Sequence, residues 1–141
     1  MKVSLREVTA DDLPVFYEHQ RVLAATAMAG FPTREWAAFT AHWGRILADP
    51  ALRAHAIEAD GRLAGNVVSF ERDGRREVGY RIGREFWGAG VASAALAAFL
   101  DLETARPLYA GVVRWNAGSP RVLEKNGFAV VGVDEVTLRL E

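Results

Sequence analysis

The apolar and polar residues at the start of the chain follow first the period of a strand and then that of a helix. Val3–Val8 alternates between apolar and polar residues, which predicts a strand. Apolar residues then recur at helical spacing in two groups, which predict two helices with buried aromatic faces: Leu13, Phe16 and Tyr17, followed by Trp36, Phe39, Trp43 and Leu47. The second helix is expected to end near Asp49-Pro50, because the residue before a proline avoids the helical region.

The next part of the chain has the pattern of an antiparallel meander. Turn dipeptides at Asp60-Gly61 and Asp73-Gly74 favour tight hairpins between three predicted strands: His55–Glu58, Leu63–Phe70 and Glu77–Ile82. Because successive side chains of a strand point to opposite faces, the third strand presents two different sets of residues. One face carries Val78, Tyr80 and Ile82, and the other carries Glu77, Gly79 and Arg81.

After Ile82 the pattern changes to alternating helices and strands. The predicted elements are a helix, a strand, a short helix closed by Asn126-Gly127, and two further strands: Gly88–Glu103, Leu108–Arg114, Ser119–Lys125, Phe128–Val133 and Val136–Leu140. A strand–helix–strand unit is expected to pair its strands in parallel through a right-handed crossover. The predicted fold class is therefore α/β (mixed α+β), with a mixed, mostly antiparallel sheet of about seven strands flanked by about four helices.

Composition and charge argue against several classes of protein. The chain has 141 residues, which suits a single domain comprising residues 1–141. Its net charge of −1 argues against nucleic-acid binding, which requires a basic face. Without cysteine, and with three histidines that lack metal-ligand spacing, neither a thiolate nucleophile nor a metal site is expected. The sequence has no long apolar run or signal-peptide pattern, so we expect no membrane association and a cytoplasmic location.

One loop carries a pattern that points to a specific chemistry. The predicted strand Glu77–Ile82 leads into Glu85-Phe86-Trp87-Gly88-Ala89-Gly90 and then directly into a helix. The two glycines allow a tight turn whose N–H groups converge, and the helix adds free N–H groups and its positive dipole, which is typical of a pyrophosphate cradle. A dinucleotide-binding loop is excluded because Ser93 replaces its third glycine. The alternative is a strand-to-helix turn that needs glycine for its geometry alone.

Two blocks of residues, one at this loop and one near the C-terminus, match a known family pattern. They are Phe86–Leu96 and Asn116–Phe128. Together with the order of predicted elements, they resemble the GNAT superfamily of N-acetyltransferases, and in particular the branch of the ribosomal-protein N-terminal acetyltransferases. The first is similar to that branch's Tyr/Phe-Trp-Gly-x-Gly-x-Ala-x-x-Ala-Leu loop, and the second to the family's Asn-x-x-Ser-x-x-x-x-Glu-Lys-x-Gly-Phe segment. Glu85 departs from the glutamine or arginine that begins the general family loop.

The resemblance implies a GNAT-like fold with acetyl-CoA bound between the two parallel strands Glu77–Ile82 and Leu108–Arg114. It implies that the pantetheine arm pairs with the first strand and with Asn116, and that the pyrophosphate lies on the glycine loop and the start of the helix. The cofactor-binding residues implied in this way are Arg81, Ile82, Gly83, Gly88, Ala89, Gly90, Val91, Ala92, Ser93 and Asn116. For Asn116 the alternative is a loop residue that satisfies local backbone groups.

The resemblance also implies direct attack of an amine on the thioester, which requires a base for the amine and a proton donor for the thiolate. Many family members use a tyrosine as the donor, but Leu123 stands at that position here. Ser119 takes the role in the branch that the chain resembles, and its alternative is a helix cap. Glu77 resembles a strand glutamate that acts as base in some members, and its alternative is an exposed hairpin residue paired with Arg75 or Arg76. Other candidates for the base are Glu58, His19, His55 or a chain of water molecules.

The predicted function is therefore transfer of an acetyl group from acetyl-CoA to a primary amine, either a small molecule or a peptide N-terminus. Two alternatives stay open: transfer of a longer acyl group, and binding of acyl-CoA by a sensor or interaction module without turnover. The acceptor pocket of this fold is usually shaped by the segment that corresponds to Arg21–Phe31. A homodimer is compatible with the fold, and Val136–Leu140 is predicted as the sheet edge through which it would pair.

Overall fold

A computed structural model describes residues 1–25, 35–112, 118–131 and 136–141. The described chain contains seven strands and four α-helices in the order that the sequence pattern predicts, so the predicted fold class is confirmed. The strands are β1 (Val3–Glu7), β2 (Arg53–Ala59), β3 (Arg62–Arg72), β4 (Arg75–Ile82), β5 (Leu108–Val112), β6 (Ala129–Val130) and β7 (Val136–Leu140). The helices are α1 (Leu13–Ala25), α2 (Trp36–Ala48), α3 (Val91–Leu102) and α4 (Gly118–Lys125).

The strands form one sheet in the order β1-β2-β3-β4-β5-β7-β6. All neighbouring strands are antiparallel except β4 and β5, which are parallel and are connected through α3. The prediction that Val136–Leu140 forms an edge is wrong. After α4 the chain first lays down β6 on the outside and then returns through β7, which pairs with β5 on one side and β6 on the other.

Two tight hairpins set the register of β2, β3 and β4. The central residues of both turns have positive φ, at 51° and 79° for Asp60 and Gly61 and at 52° and 78° for Asp73 and Gly74. Aspartate followed by glycine adopts this geometry readily, and its twist matches that of the flanking strands. The second turn places Arg72 directly opposite Arg75, and this register brings together the side chains discussed below.

Two predicted boundaries differ from the observed ones. Helix α3 begins at Val91 and not at Gly88, because Gly88 and Gly90 have positive φ values of 74° and 79° and so form a turn before the helix. Strand β6 is limited to Ala129–Val130, whereas a longer strand ending at Val133 was expected; residues 132 and 133 lie outside the described part.

Helices cover the two faces of the sheet unequally. Helices α3 and α4 close one face with a large apolar core, whose fully buried members include Ile57, Leu96, Phe99, Leu108, Leu123 and Leu138. Helices α1 and α2 cover the other face through a smaller cluster, which contacts the sheet mainly on β2 and β3: Phe16, Phe39, Trp43 and Ala56. The smaller cluster does not extend past β3: among the described residues, none from β4, β5 or β7 belongs to it. These three strands therefore have a second face without apolar packing from α1 and α2. We call it the open face.

The aromatic residues of α2 are only partly buried. Phe39 and Trp43 lie in the core as predicted, with 2% and 5% of their surface exposed. The prediction is wrong for Trp36, which is 45% exposed. Trp36 is the first residue of the helix and packs against Tyr17 and Phe39 from the outside.

Candidate functional site

Strands β4 and β5 stay paired for only two residues. The parallel register joins Arg76 to Leu108 and Glu77 to Tyr109. Strand β4 continues to Ile82, while the later residues of β5 pair with β7. The two strands therefore separate after Glu77 and Tyr109, and between them lies an opening, which we call the cleft. From residue 78 to residue 82, β4 pairs with β3 on one side, and on the side that faces the cleft it has no strand partner among the described residues.

The glycine loop lies at the wide end of the cleft, directly after β4. A short 3₁₀ turn over Arg84–Phe86 leads to Trp87, whose indole Nε1 donates to the Ile82 carbonyl at 2.9 Å. Gly88 and Gly90 follow with positive φ, and a Cβ atom added to either would meet no other atom within 4 Å. The space over the loop is thus open, and the first N–H groups of α3 point towards it without helical partners of their own. These features fit a diphosphate.

Glu85, the departure from the family pattern, is neutralised by a nearby arginine. Its carboxylate accepts from Arg62 Nη2 at 3.0 Å, and both side chains are exposed. The same guanidinium lies over the buried Phe86 ring, 5.1 Å from its centroid. A negative side chain beside a phosphate-binding loop is unfavourable, so the Arg62 partner offsets its charge.

The backbone groups at the end of β4 are divided between the sheet and the cleft. Gly83 N–H donates to the Ala64 carbonyl at 2.8 Å, and its own carbonyl accepts from Phe86 N–H at 2.9 Å. Since the peptide groups of a strand point alternately to its two sides, the N–H of Ile82 faces the cleft and the backbone of Arg81 faces β3. Binding of the pantetheine arm by Arg81, Ile82 and Gly83 stays a prediction, with Ile82 as the residue whose N–H is best directed.

A buried histidine, His19, lies against the end of β4, and this contact was not foreseen from the sequence. A Cβ atom added to Gly83 would lie 2.5 Å from Nε2 of His19, so glycine is required at this contact. His19 belongs to α1, is 8% exposed, and its Nδ1 has no hydrogen-bond partner among the described residues. Burial lowers the pKa of His19, although Glu85 and Glu18 act in the opposite direction. The ring is therefore neutral at pH 7.

Glu77 stands where β4 and β5 separate, and its side chain lies on the open face. It is 12% exposed, and its carboxylate accepts from Arg72 Nε at 3.1 Å. The expected pairing with Arg75 or Arg76 is wrong. Arg75 instead lies over the Tyr109 ring at 4.5 Å, and Arg76 points to the opposite face. The Asp73-Gly74 turn contained the signal, because a two-residue hairpin places residue 72 close to residue 77.

Beneath the narrow end of the cleft, on the face covered by α3, lies a buried polar network that sequence reasoning missed. Glu103 Oε1 accepts from Ser69 Oγ at 2.6 Å and from Arg76 Nε at 2.7 Å. Arg76 Nη1 also donates to the Ala51 carbonyl at 2.5 Å. Burial raises the pKa of Glu103, but the hydrogen bonds from Ser69 and Arg76 outweigh it, so the pKa lies below its usual value. The network fixes β3, β4 and the end of α3 to one another.

Two of the predicted site residues cannot be placed by their side chains. Asn116 lies outside the described residues. Residues 26–34, which include most of the predicted acceptor segment Arg21–Phe31, also lie outside them. Ser119 belongs to the first turn of α4, and the structure describes only the backbone of that residue. Their predicted roles stay predictions. Leu123, which occupies the position of the family's tyrosine, is fully buried in the large core.

Two further kinds of site were searched for in the described chain. Among the residues described, no group of histidine, aspartate and glutamate has the arrangement that a metal ion requires. None of the helices in these ranges combines the length and apolar character needed to cross a membrane.

Comparison with a family model gives a match over nearly the whole chain. The model described as "Acetyltransferase (GNAT) domain" matches residues 2–129. No protein with a curated function matches the chain significantly.

Comparison with solved structures gives several that are similar over most of their length. The aminoglycoside acetyltransferase AAC(6')-Ib in complex with coenzyme A has a TM-score of 0.81 and 20% identity, covering 99% of this chain and 94% of that one. RimJ of Mycobacterium smegmatis with CoA-disulfide has a TM-score of 0.80 and 20% identity, with coverages of 98% and 81%. Spermidine N-acetyltransferase from Vibrio cholerae with CoA and spermine has a TM-score of 0.80 and 19% identity, with coverages of 97% and 92%. At these identities the similarity shows the fold.

Proposed function

Because the chain belongs to the acetyltransferase (GNAT) family and is thus an acetyl-CoA-dependent N-acetyltransferase, we propose that it acetylates a primary amine by direct attack within a ternary complex. The acceptor is a small-molecule amine or the N-terminus of a peptide, and residues 1–141 form a single catalytic domain. Two of the similar structures named above come from proteins whose names indicate different amine substrates, an aminoglycoside and spermidine, so the fold does not select between them.

The separation of β4 and β5 is the observation that carries this proposal. A parallel pair that parts after two residues leaves backbone groups of β4 facing a cleft in the middle of the sheet. From Glu77 to Ile82 the strand spans about 17 Å at 3.3 Å per residue. That length is comparable with an extended pantetheine arm, whose amides pair with a strand edge as a peptide does. The acyl end then lies beside Glu77 when the diphosphate lies on Gly88 and Gly90.

The residues proposed to hold acetyl-CoA follow from this orientation. The turn residues Gly88, Ala89 and Gly90 receive the diphosphate together with the first residues of α3, namely Val91, Ala92 and Ser93. The Ser93 carbonyl also accepts from Asn126 Nδ2 at 3.2 Å, which ties the start of α3 to the end of α4. Arg81, Ile82, Gly83 and Asn116 are proposed to position the arm.

In the proposed reaction, acetyl-CoA supplies the activated acetyl thioester. Glu77 accepts a proton from the incoming ammonium group, because its carboxylate stands at the narrow end of the cleft, beside the proposed acyl position. Arg72 holds the carboxylate in place through Nε and leaves it a second oxygen for the proton. Ser119 is proposed to donate a hydrogen bond to the leaving thiolate from the start of α4.

The test is a thiol-release screen with acetyl-CoA and a panel of amines that includes amino acids, peptides, polyamines and aminoglycosides. Release of CoA that depends on one class of amine supports the proposal. Binding of acetyl-CoA without release for any amine would favour a sensor or interaction module. Faster release from longer acyl-CoA substrates than from acetyl-CoA would assign the cleft to a longer acyl group.

A further inference from the structure

Three arginines surround Glu77 on the open face of the sheet. Arg72 bonds to it directly, and Arg75 follows on the same strand face two residues before it. Tyr109 is opposite Glu77 in the parallel pair, and Arg139 of β7 is opposite Tyr109. Since Leu138 and Leu140 on either side of Arg139 pack into the core, Arg139 points to the open face.

The three guanidinium groups differ in whether a carboxylate neutralises them. Arg72 pairs with Glu77, and Arg139 pairs with Glu141. Arg75 makes no ion pair with any described carboxylate, including Asp73 at the tip of the adjacent hairpin turn. It is exposed, and its guanidinium is held over the Tyr109 ring at 4.5 Å. Arg75 therefore presents an uncompensated positive charge beside the narrow end of the cleft.

Stacking prepares Arg75 to bind a carboxylate. A guanidinium placed on an aromatic ring keeps its N–H edge free, and that planar edge matches the two oxygens of a carboxylate. Residues 75 and 77 share a strand face, so their Cα atoms are about 7 Å apart. A carboxylate bound at Arg75 and an amine beside Glu77 therefore belong to one small molecule or to the first residues of one peptide.

We infer that the acceptor is an amine that carries a nearby carboxylate, an amino acid or a peptide with an acidic N-terminal region, and that Arg75 selects it. This inference rests on the proposed function and narrows its acceptor class. The same charge disfavours polycations such as polyamines and aminoglycosides, because they would bring further positive charge to an arginine-rich face. A nearby guanidinium also favours the neutral, nucleophilic form of the acceptor amine.

The experiment compares acceptors that differ only in charge. It measures kcat and KM by thiol release for amino acids and their amides, for acidic peptides and their neutral amide counterparts, and for spermidine. The variants are Arg75→Gln and Arg75→Glu. The matched control is Arg53→Gln, since Arg53 is also an exposed strand arginine but lies opposite Ser69, on the face covered by α3. Thermal unfolding verifies that each variant is folded.

We expect wild type to prefer the carboxylate-bearing member of each pair. Arg75→Gln should raise KM for that member roughly tenfold or more, as expected for loss of a charge-assisted hydrogen bond, and leave the neutral member nearly unchanged. Arg75→Glu should shift the preference towards spermidine, and Arg53→Gln should resemble wild type. Comparison of free amino acids with acidic peptides shows whether the carboxylate belongs to an amino acid or to a peptide.

Equal use of charged and neutral acceptors by wild type would overturn the inference, as would an equal loss for all acceptors in Arg75→Gln. Either result leaves the proposed function intact, because amines are still acetylated. The proposed function itself fails only if no amine in the panel promotes CoA release by the wild-type protein.

Discussion

The two faces of the sheet are built from the same strands but by different means. On the face under α3 and α4, strand β4 contributes Val78 and Ile82 to a continuous apolar core. On the open face, the same strand contributes the charged residues Arg75 and Glu77. Alternation along one strand thus supplies stability on one side and chemistry on the other. Substitutions on β4 should therefore act differently according to the face on which the side chain lies. On the covered face they should change stability, and on the open face they should change turnover.

Replacing the carboxylate on the open face is expected to have the largest effect on function. Glu77→Gln should lower kcat by about 10²–10⁴, the usual contribution of a general base. The unfolding free energy should change little, because Arg72, the other member of the pair, is 60% exposed. Thiol release and thermal unfolding measure the two quantities. Glu71→Gln is the control, since Glu71 is an exposed carboxylate on the same hairpin but pairs with Arg76. A normal kcat for Glu77→Gln would leave Glu77 with a structural role.

Truncating a core residue on the covered face tests the other half of the comparison. Phe99 of α3 is fully buried, so Phe99→Ala should lower the unfolding free energy by about 3–5 kcal/mol. Trp36→Ala on α2 should cost less, because that ring is nearly half exposed. Equilibrium denaturation measures both. A larger loss for Trp36→Ala than for Phe99→Ala would mean that the smaller cluster dominates stability.

Substitution of Ser119 distinguishes a catalytic role from a helix-capping role. If it donates to the thiolate, Ser119→Ala should lower kcat by about 10²-fold, with a smaller change in acetyl-CoA affinity. If it only caps α4, the variant should keep wild-type turnover and lose about 0.5–2 kcal/mol of stability. Steady-state kinetics with calorimetric titration of acetyl-CoA distinguishes the two.

The glycine loop allows a matched pair of substitutions. Gly90→Asp places a carboxylate at the proposed diphosphate site and should raise the Kd of acetyl-CoA roughly tenfold, or 1.4 kcal/mol. Gly74→Asp imposes the same backbone strain, because the φ values are 79° and 78° and neither position is crowded. Similar losses of stability are therefore expected, but only Gly90→Asp should weaken binding in calorimetry. Equal affinities would place the diphosphate elsewhere.

The smallest expected effect is a pH dependence of stability, to which each face of the sheet contributes one histidine: His19, which is buried, and His55, which is partly buried. Burial lowers the pKa of His19, on α1, and the pKa of His55, whose ring contacts Phe99. Arg53 also lowers the pKa of His55, while Glu7 opposes this shift. Below the ordinary value of 6.5 the unfolded chain therefore binds more protons than the native one. Stability should be constant above pH 6.5 from this source and fall as the pH decreases, by at most about 1.4 kcal/mol per pH unit for each histidine.

Thermal unfolding between pH 7.5 and 5 measures this slope. His19→Asn and His55→Asn each remove one titrating group, so each should flatten the slope even if it lowers stability at every pH. A slope unchanged in both variants would assign the pH dependence to other groups.

Local sequence patterns were sufficient to predict the helices and strands and one half of the candidate site, the glycine loop. Asp60-Gly61 and Asp73-Gly74 specify their turns through the conformations that these residues adopt, and Gly88 and Gly90 specify the loop in the same way. The position of the loop after β4 then follows from chain order. Such features are encoded within a few residues, which explains why they could be predicted without knowledge of the whole sheet.

The other half of the candidate site, the residues around Glu77, depends on the register between distant strands. That Tyr109 lies opposite Glu77, and Arg139 opposite Tyr109, depends on how distant strands align, which no short pattern specifies. The same limit hid the contact of His19 with Gly83 and caused β7 to be assigned to the edge. Residues that act through such contacts become visible only once the sheet is assembled.

The network of Ser69, Arg76 and Glu103 has a mechanical consequence. Arg76 is also one of the two residues at which β4 still pairs with β5, so the buried ion pair lies at the point where the strands begin to diverge. Because the network joins β4 to β3 and to the end of α3, displacing β4 there would pull apart charges that little water can reach, which is strongly unfavourable. Strand β4 is therefore anchored beside Glu77 by charge as well as by packing, so the narrow end of the cleft has a fixed position relative to β3 and α3.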